Sequence, residues 1–272
     1  VGSVFSPYYA WARARGNADP ANHCAVNVAL YGPRRRWTMT ERGAAGLQRS
    51  PGELRVGPSS LAWDGKQLVV RVHERASPWP MRVCGEIRLT PDHLYGQPMA
   101  LDARGAHRWR PIAPSARVEV RMTQPELRWD GAGYLDANDG DEPLEQAFSG
   151  WHWSRARLRR GTAVLYDLRR RDGSTASIGM RFGPGDDVRE LRAPPAVMLP
   201  ATRWGVARAT RSEVAPGVLE TFEDTPFYAR SLLSLQLAGE RVSAMHESLS
   251  LDRFRAPWVR MLLPFRMPRV AR

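Results

Sequence analysis

Apolar and polar positions alternate along most of this chain, and the dominant period is two rather than 3.6. Asn22–Tyr31 is a β-like apolar run closed by Gly32-Pro33, and Trp37–Glu41 follows it and stops at Arg42-Gly43. Leu61–His73 reads as a hairpin about Asp64-Gly65, a turn dipeptide with a strand on each side. Arg82–Leu89 and Ala116–Met122 alternate cleanly, as half-buried strands do. Further turn signals stand at Arg171-Asp172-Gly173 and across 183–187. Helix signals are few. Glu142–Phe148 predicts one or two turns, with Pro143 at a permitted first-turn position, and Leu251–Ala256 predicts another before Pro257. Many short strands at such spacing predict an all-β sandwich or barrel. There is no βαβ alternation and no Gly-rich phosphate loop, which argues against a nucleotide cofactor.

The 272 residues suffice for one large domain or two of ordinary size. Near residues 141–150 the acidic, turn-rich segment from Asp139 gives way to Trp151-His152-Trp153 and a second series of strands. Two β-domains, 1–148 and 149–272, packed together fit this shift, and a single large twisted sheet is the alternative. The first residues read as a strand already under way and lack Met, which predicts that a few native residues precede Val1. They contain neither a basic n-region nor a long apolar h-region, so a signal peptide is not expected there. No apolar window has the length of a transmembrane helix.

The composition, 43% hydrophobic and 25% charged, is that of a folded soluble domain. The net charge of +12 comes almost wholly from arginine, since Lys66 is the sole lysine. Such a surface suits an anionic bilayer or nucleic acid, but no helix-turn-helix, zinc-finger or RNP pattern accompanies it, so nucleic acid is not an expected partner. The densest patch, Arg155–Arg160 with Arg169–Arg171, flanks a turn and reads first as a solvated rim, then as a membrane contact. Cys24 and Cys84 lack C-x-x-C spacing, which predicts free thiols in a reducing, cytoplasmic setting. The six histidines show no metal-ligand spacing, so no metal site is expected.

Two short motifs carry the candidate chemistry. In Tyr134-Leu135-Asp136, taken as the start of a strand after a Gly-rich turn, Tyr134 and Asp136 share a face. A carboxyl beside a phenol on an inward face is costly unless paired or used. His107-Arg108-Trp109 repeats the arrangement. Together they supply an acid, a polar partner and two aromatic walls, which suits a cationic intermediate in an apolar pocket. Without further context, an Asp after such a turn is ordinarily a turn or capping residue, a description that fits Asp139 and Asp141 better than Asp136. A His beside a Trp on a strand is ordinarily a satisfied core residue.

The segments Gly2–Trp11, Asn22–Gly32, Thr40–Gly43, Trp109–Val120, Gly133–Gly140 and Trp151–Ala156 are similar to those of the bacterial carotenoid 1,2-hydratases, also called hydroxyneurosporene synthases. The resemblance runs from the first residue to Gly173 and more loosely to the C-terminus. It implies a fold of two lipocalin-like, calycin-type antiparallel β-barrels with few short helices. It also implies a cofactor-independent lyase that adds water to the terminal isopropylidene double bond of an acyclic carotene such as neurosporene or lycopene. The residues it associates with catalysis fall on His107, Trp109, Tyr134 and Asp136, with both motifs intact.

Hydration of an isolated alkene begins with protonation of the less substituted carbon, and water then attacks the tertiary cation. Asp136 is the expected donor, with a pKa raised by burial. Trp109 and Tyr134 offer π faces worth up to about 2 kcal/mol each when desolvated. His107 either orients Asp136 or takes the proton of the attacking water. Trp63, Trp79, Trp129, Trp151, Trp153, Tyr8, Tyr9 and Trp11 are candidate tunnel lining, and Glu41, Asp167 and His152 are reserve candidates for the chemistry. The competing reading is a non-catalytic lipocalin-like carrier of a carotenoid or other isoprenoid. Because a carotene resides in the bilayer, peripheral attachment to the cytoplasmic face of the inner membrane is expected, through the arginine-rich edges or the segment Trp258–Phe265.

Overall fold

The computed structural model describes residues 4–270. Strands dominate it and pair antiparallel almost throughout. Of the expected opening strand, residues 1–3 lie outside the described residues, and from Pro7 the chain is instead helix α1 (Pro7–Ala14). Ser6 caps that helix by accepting the Tyr9 amide at 2.9 Å, and Pro7 occupies a first-turn position. This Ser-Pro start followed by Ala- and Arg-rich sequence is a helix signal that outweighs the local apolar run.

Strands β1 (Cys24–Leu30) and β2 (Arg36–Arg42) pair first. An antiparallel meander follows through β3 (Leu47–Arg49), β4 (Glu53–Val56), β5 (Ser59–Trp63), β6 (Leu68–Arg75) and β7 (Arg82–Pro91). The expected turn at Asp64-Gly65 is present, with Trp63 opposite Leu68. After the short β8 (Met99–Ala100) come the two longest strands, β9 (His107–Gln124) and β10 (Glu126–Gly140), folded back at Pro125. The Gly-rich stretch before Tyr134 is therefore strand rather than turn. Gly133 is glycine because an added Cβ would stand 3.3 Å from both Leu89 and Val118, so the strand presses close there.

The second series is β11 (Phe148–Leu158), β12 (Gly161–Arg170), β13 (Thr175–Phe182), β14 (Val188–Glu190), the hairpin β15 (Ala196–Leu199) and β16 (Arg208–Arg211), then β17 (Gly217–Asp224), β18 (Tyr228–Leu237) and β19 (Glu240–Ser250). Seven of these form one sheet in the order β14-β13-β12-β11-β19-β18-β17. The two predicted helical turns are present as α2 (Leu144–Ala147) and α3 (Leu251–Phe254). The chain continues as α4 (Pro257–Arg266) and ends its described part in β20 (Arg269–Val270), parallel to β2.

Contacts divide the chain into two compact units, each discontinuous in sequence: 1–91 with 116–133 and 260–272, and 92–115 with 134–259. In the first, Val72, Val83, Val118, Val120 and Met122 make the core. Beside it, Arg42 forms a buried two-point ion pair with Glu74 (2.7 and 3.1 Å), whose remaining demand is met by Ser59 Oγ at 2.6 Å.

In the second unit, alternation sorts side chains onto the two faces of the seven-stranded sheet. One face carries the apolar cluster Ala156, Leu158, Ala163, Leu165, Leu233, Leu235, Leu237, Val242 and Ala244. Further along the same face lie His152 and His246, stacked with centroids 6.1 Å apart. His152 Nδ1 meets Ser248 Oγ at 2.9 Å, and His246 Nε2 meets the Ala209 carbonyl at 2.8 Å. The other face carries Trp151, Trp153, Tyr166 and Phe182.

Burial pushes both His152 and His246 down to about 4. In the unfolded chain each takes up a proton below about 6.5, which the folded chain resists until about 4. The unfolded state binds more protons in that window, so stability is full above it and falls as the pH drops through it. Urea denaturation from pH 7 to pH 4 is expected to show this decline, with a shallower slope for His246→Gln. Equal slopes for the two proteins would contradict it.

Candidate active site

The site is built where β9 begins and β10 ends. Along β9, His107 and Trp109 point inward and are buried (1% and 0% exposed), while Arg108 between them points outward. Arg108 reaches across to Asp139 and makes a two-point pair with Asp141 at 2.8 and 3.0 Å. That ties the strands together on the outer side and accounts for both aspartates. On the inner side, Trp109 Nε1 donates to Asp136 Oδ2 at 2.8 Å, and the Tyr134 hydroxyl donates to the same oxygen at 3.0 Å. Trp109, Tyr134 and Asp136 are thus brought together, and Oδ1 is the oxygen left to carry a proton.

Burial raises the Asp136 pKa above the ordinary carboxylate range. The two donors oppose the rise by stabilising the anion, and the negative charge of Glu247 adds to it. Tyr134 is pushed far up by burial, with the neighbouring Asp136 carboxyl next in importance, so it remains a phenol and a donor. Tyr166, on β12, is likewise raised by burial and by the charges of Asp136 and Glu247.

Around this carboxyl stands a web of rings. Trp109 lies 6.0 Å from Tyr166 and 6.4 Å from Phe182, Tyr134 lies 5.3 Å from Trp153, and Trp151 lies 6.0 Å from Tyr166. The Arg155 guanidinium sits over the Tyr134 ring at 5.6 Å. One face of that phenol is therefore already engaged by a cation, so its hydroxyl is better placed for chemistry than its ring.

His107 turns away from Asp136. Its Nδ1 meets Asp102 Oδ2 at 2.9 Å and its Nε2 meets the Glu142 carbonyl at 3.1 Å. Its ring packs edge-on against Phe148 at 5.0 Å. Gly140 lies so close that an added Cβ would stand 2.7 Å from the imidazole. Asp102 also accepts the amides of Arg104, Ala106 and His107 at 2.9, 3.2 and 2.8 Å. Burial works to raise the Asp102 pKa, but these hydrogen bonds, the His107 ring foremost, hold it below the usual range. The pair fixes the loop from which β9 starts.

The reserve candidates lie elsewhere. Glu41 pairs with His23 and Arg269, Asp167 pairs with Arg211, and His152 lies on the opposite face of the sheet from Trp153. Trp11, Trp63, Trp79 and Trp129 are exposed, whereas Trp151 and Trp153 join the ring web. Sequence reasoning missed Asp102, Tyr166, Phe182 and Glu247. Pairing Trp151-x-Trp153 with the next alternating strand would have pointed to Tyr166. Among the described residues, no three His, Cys, Asp or Glu side chains converge to hold a metal ion.

A carboxyl group raised by burial and set among indole and phenol rings on antiparallel strands defines a class: an all-β protein equipped for acid chemistry in an apolar setting. The chain belongs to the carotenoid hydratase CrtC family, whose model matches residues 1–272, and is thereby an enzyme of the hydro-lyase class. It is 55% identical to the acyclic carotenoid 1,2-hydratase of Thiocapsa roseopersicina over 99% of this chain and 68% of that one. The identity is 48% to the enzyme of that name from Rubrivivax gelatinosus (100% and 68% covered) and 42% to that from Cereibacter sphaeroides (99% and 96%). A Nitrosomonas europaea crystal structure assigned as an AttH shares the fold, with a TM-score of 0.57 at 12% identity over 82% of this chain and 80% of that one.

A double-mutant cycle tests the place of His107. Asp102→Asn and His107→Gln are expected to couple in stability by about 1–3 kcal/mol, and His107→Gln with Asp136→Asn to add independently. Coupling to Asp136 in place of Asp102 would contradict the geometry.

Proposed function

We propose that this chain adds water to the terminal 1,2 (isopropylidene) double bond of an acyclic carotene, such as neurosporene or lycopene, giving a 1-hydroxy carotenoid without a cofactor. The observation that carries the reading is the Asp136 carboxyl, raised by burial and receiving both its side-chain donors on Oδ2. In its acid form the proton on Oδ1 is the one to give. Transfer to the less substituted alkene carbon leaves a tertiary cation, which the indole of Trp109 stabilises. As Asp136 becomes an anion, the Trp109 and Tyr134 donors gain strength on Oδ2, so they favour the transition state over the ground state. His107 acts at one remove, by holding with Asp102 the loop that sets Trp109 in place. The hydrocarbon substrate offers no polar handle, so its affinity comes from apolar burial.

Purified protein incubated with neurosporene or lycopene, and no cofactor, is expected to yield a product heavier by one water. Asp136→Asn, whose carboxamide cannot donate that proton, is expected to lose at least about 10²-fold in turnover while still binding the carotene. A non-catalytic carrier would bind in both forms and convert in neither. Because the acid form is the active one, the rate is expected to fall as the pH rises through the raised Asp136 pKa. A rate that climbs across that range would assign the acid elsewhere.

We further propose that the protein meets its substrate at a membrane surface through α4. No described helix is long and apolar enough to cross a membrane. On α4, however, Trp258, Met261, Leu262 and Phe265 are exposed (47%, 71%, 43% and 72%). Their i, i+3, i+4, i+7 spacing makes one apolar stripe, while Val259 and Leu263 are buried on the other side. Arg255 precedes the stripe in sequence and Arg266 follows it. Flotation with liposomes is expected to carry the protein, more with anionic than with neutral vesicles, and Phe265→Glu with Met261→Glu is expected to leave it in the pellet fraction. Flotation unaffected by the pair would contradict this contact.

A further inference from the structure

Once the proposed acid has given its proton to the alkene, the attacking water needs an acceptor for its own. Asp136, newly ionised, receives Trp109 and Tyr134 on Oδ2, and His107 has both ring nitrogens engaged by Asp102 and the Glu142 carbonyl. Register in the seven-stranded sheet identifies a second carboxylate. Tyr166 on β12, Trp153 on β11, Glu247 on β19 and Arg230 on β18 stand directly opposite one another in turn. Directly opposed residues share a face, so the four form one row on the face that carries the ring web. Trp153 packs on Tyr134, whose hydroxyl holds Asp136. Glu247 is also near enough for its charge to be felt at both Asp136 and Tyr166.

Two details of this row point to a ligand with both a proton to give and a lone pair to offer. The Trp153 indole is 9% exposed, and its Nε1 is a buried donor with no hydrogen-bond partner among the described residues. A buried donor of this kind is costly unless something accepts from it. Its immediate neighbour Glu247 is an acceptor in reach of solvent, with 22% of its side chain exposed. Arg230 holds one oxygen of that carboxylate at 2.6 Å, which supplies a counter-ion and leaves Oε2 for another partner.

We propose that Glu247 and Trp153 hold the nucleophilic water, and that Glu247 is the base that takes its proton. This rests on the hydratase reading given above. In the first step the Asp136 O–H bond breaks, and the π electron pair forms the new C–H bond. In the second a water lone pair forms the C–O bond at the tertiary cation, and the released proton passes to Glu247 Oε2. Trp153 Nε1 donates to the water oxygen throughout. The proton then returns through solvent from Glu247 to Asp136, so the cycle closes with no net loss. Two carboxyl groups with opposite assignments follow from their surroundings: one sits among rings that disfavour its charge, the other beside an arginine that balances it.

Turnover in D2O separates the two steps. A cation that forms but is not captured loses a proton and returns to alkene, carrying deuterium into the recovered carotene. Glu247→Gln is expected to lower hydration by about 10²-fold or more while deuterium incorporation into the carotene continues. Trp153→Phe, which keeps a ring and removes only the N–H, is expected to lower hydration in the same sense and carries the test should Glu247→Gln fail to fold. Asp136→Asn is expected to lose both signals. Hydration by folded Glu247→Gln within about threefold of wild type, or parallel loss of hydration and exchange in it, would overturn the assignment to Glu247. Absence of both signals in the wild type would instead overturn the hydratase reading itself.

Discussion

One carboxyl oxygen, Asp136 Oδ2, receives two donors in surroundings that disfavour its charge, and the local architecture exists to keep it so. Burial and hydrogen bonding pull in opposite directions there. Burial outweighs the hydrogen bonds and raises the pKa, and the donors stabilise the anion left once a proton is given. The arrangement demands that the first turn of β9 and the last of β10 be held in fixed register. Arg108 does this from outside through Asp139 and Asp141, and His107 does it from inside through Asp102 and the Glu142 carbonyl. Trp109 has to be tryptophan because phenylalanine would keep the ring and lose the donor.

The same physical cause produces opposite results on the two faces of the seven-stranded sheet. Desolvation raises Asp136 and Tyr166 on the side of the rings and lowers His152 and His246 on the other. In each case the neutral form is favoured. Trp151-His152-Trp153 shows how little sequence separates the two environments: alternation sends both indoles to one face and the imidazole to the other. A neutral histidine pair can then be buried as structure, while on the opposite face a carboxyl with a raised pKa stands among the rings.

Much of this was legible in the residues. Period-two alternation, with turns at Asp64-Gly65 and Arg171-Asp172-Gly173, was enough for an antiparallel all-β chain, because strand faces and turn chemistry are local properties. The same alternation placed Tyr134 with Asp136 and His107 with Trp109. What alternation cannot supply is which strand lies opposite which. Glu247 and Tyr166 enter the site only through pairing with β11, over separations of about a hundred residues and about a dozen. Nor does a motif say where a side chain's hydrogen bonds go. His107 shares its face with Trp109, yet its partner is Asp102, five residues upstream in a loop. The opening residues were misread because Val4, Phe5, Tyr8 and Tyr9 are strand-favouring types, although Ser6-Pro7 marks a helix start.

The central claim is that the Asp136 carboxyl holds its proton above the ordinary aspartate range. Infrared difference spectroscopy of the wild type against Asp136→Asn measures this directly, since a protonated carboxyl has a C=O stretch that a carboxylate lacks. The account predicts that the wild type keeps a protonated-carboxyl band, absent from Asp136→Asn, as the pH rises past the range in which ordinary aspartates ionise. Loss of that band within or below the ordinary aspartate range would contradict it.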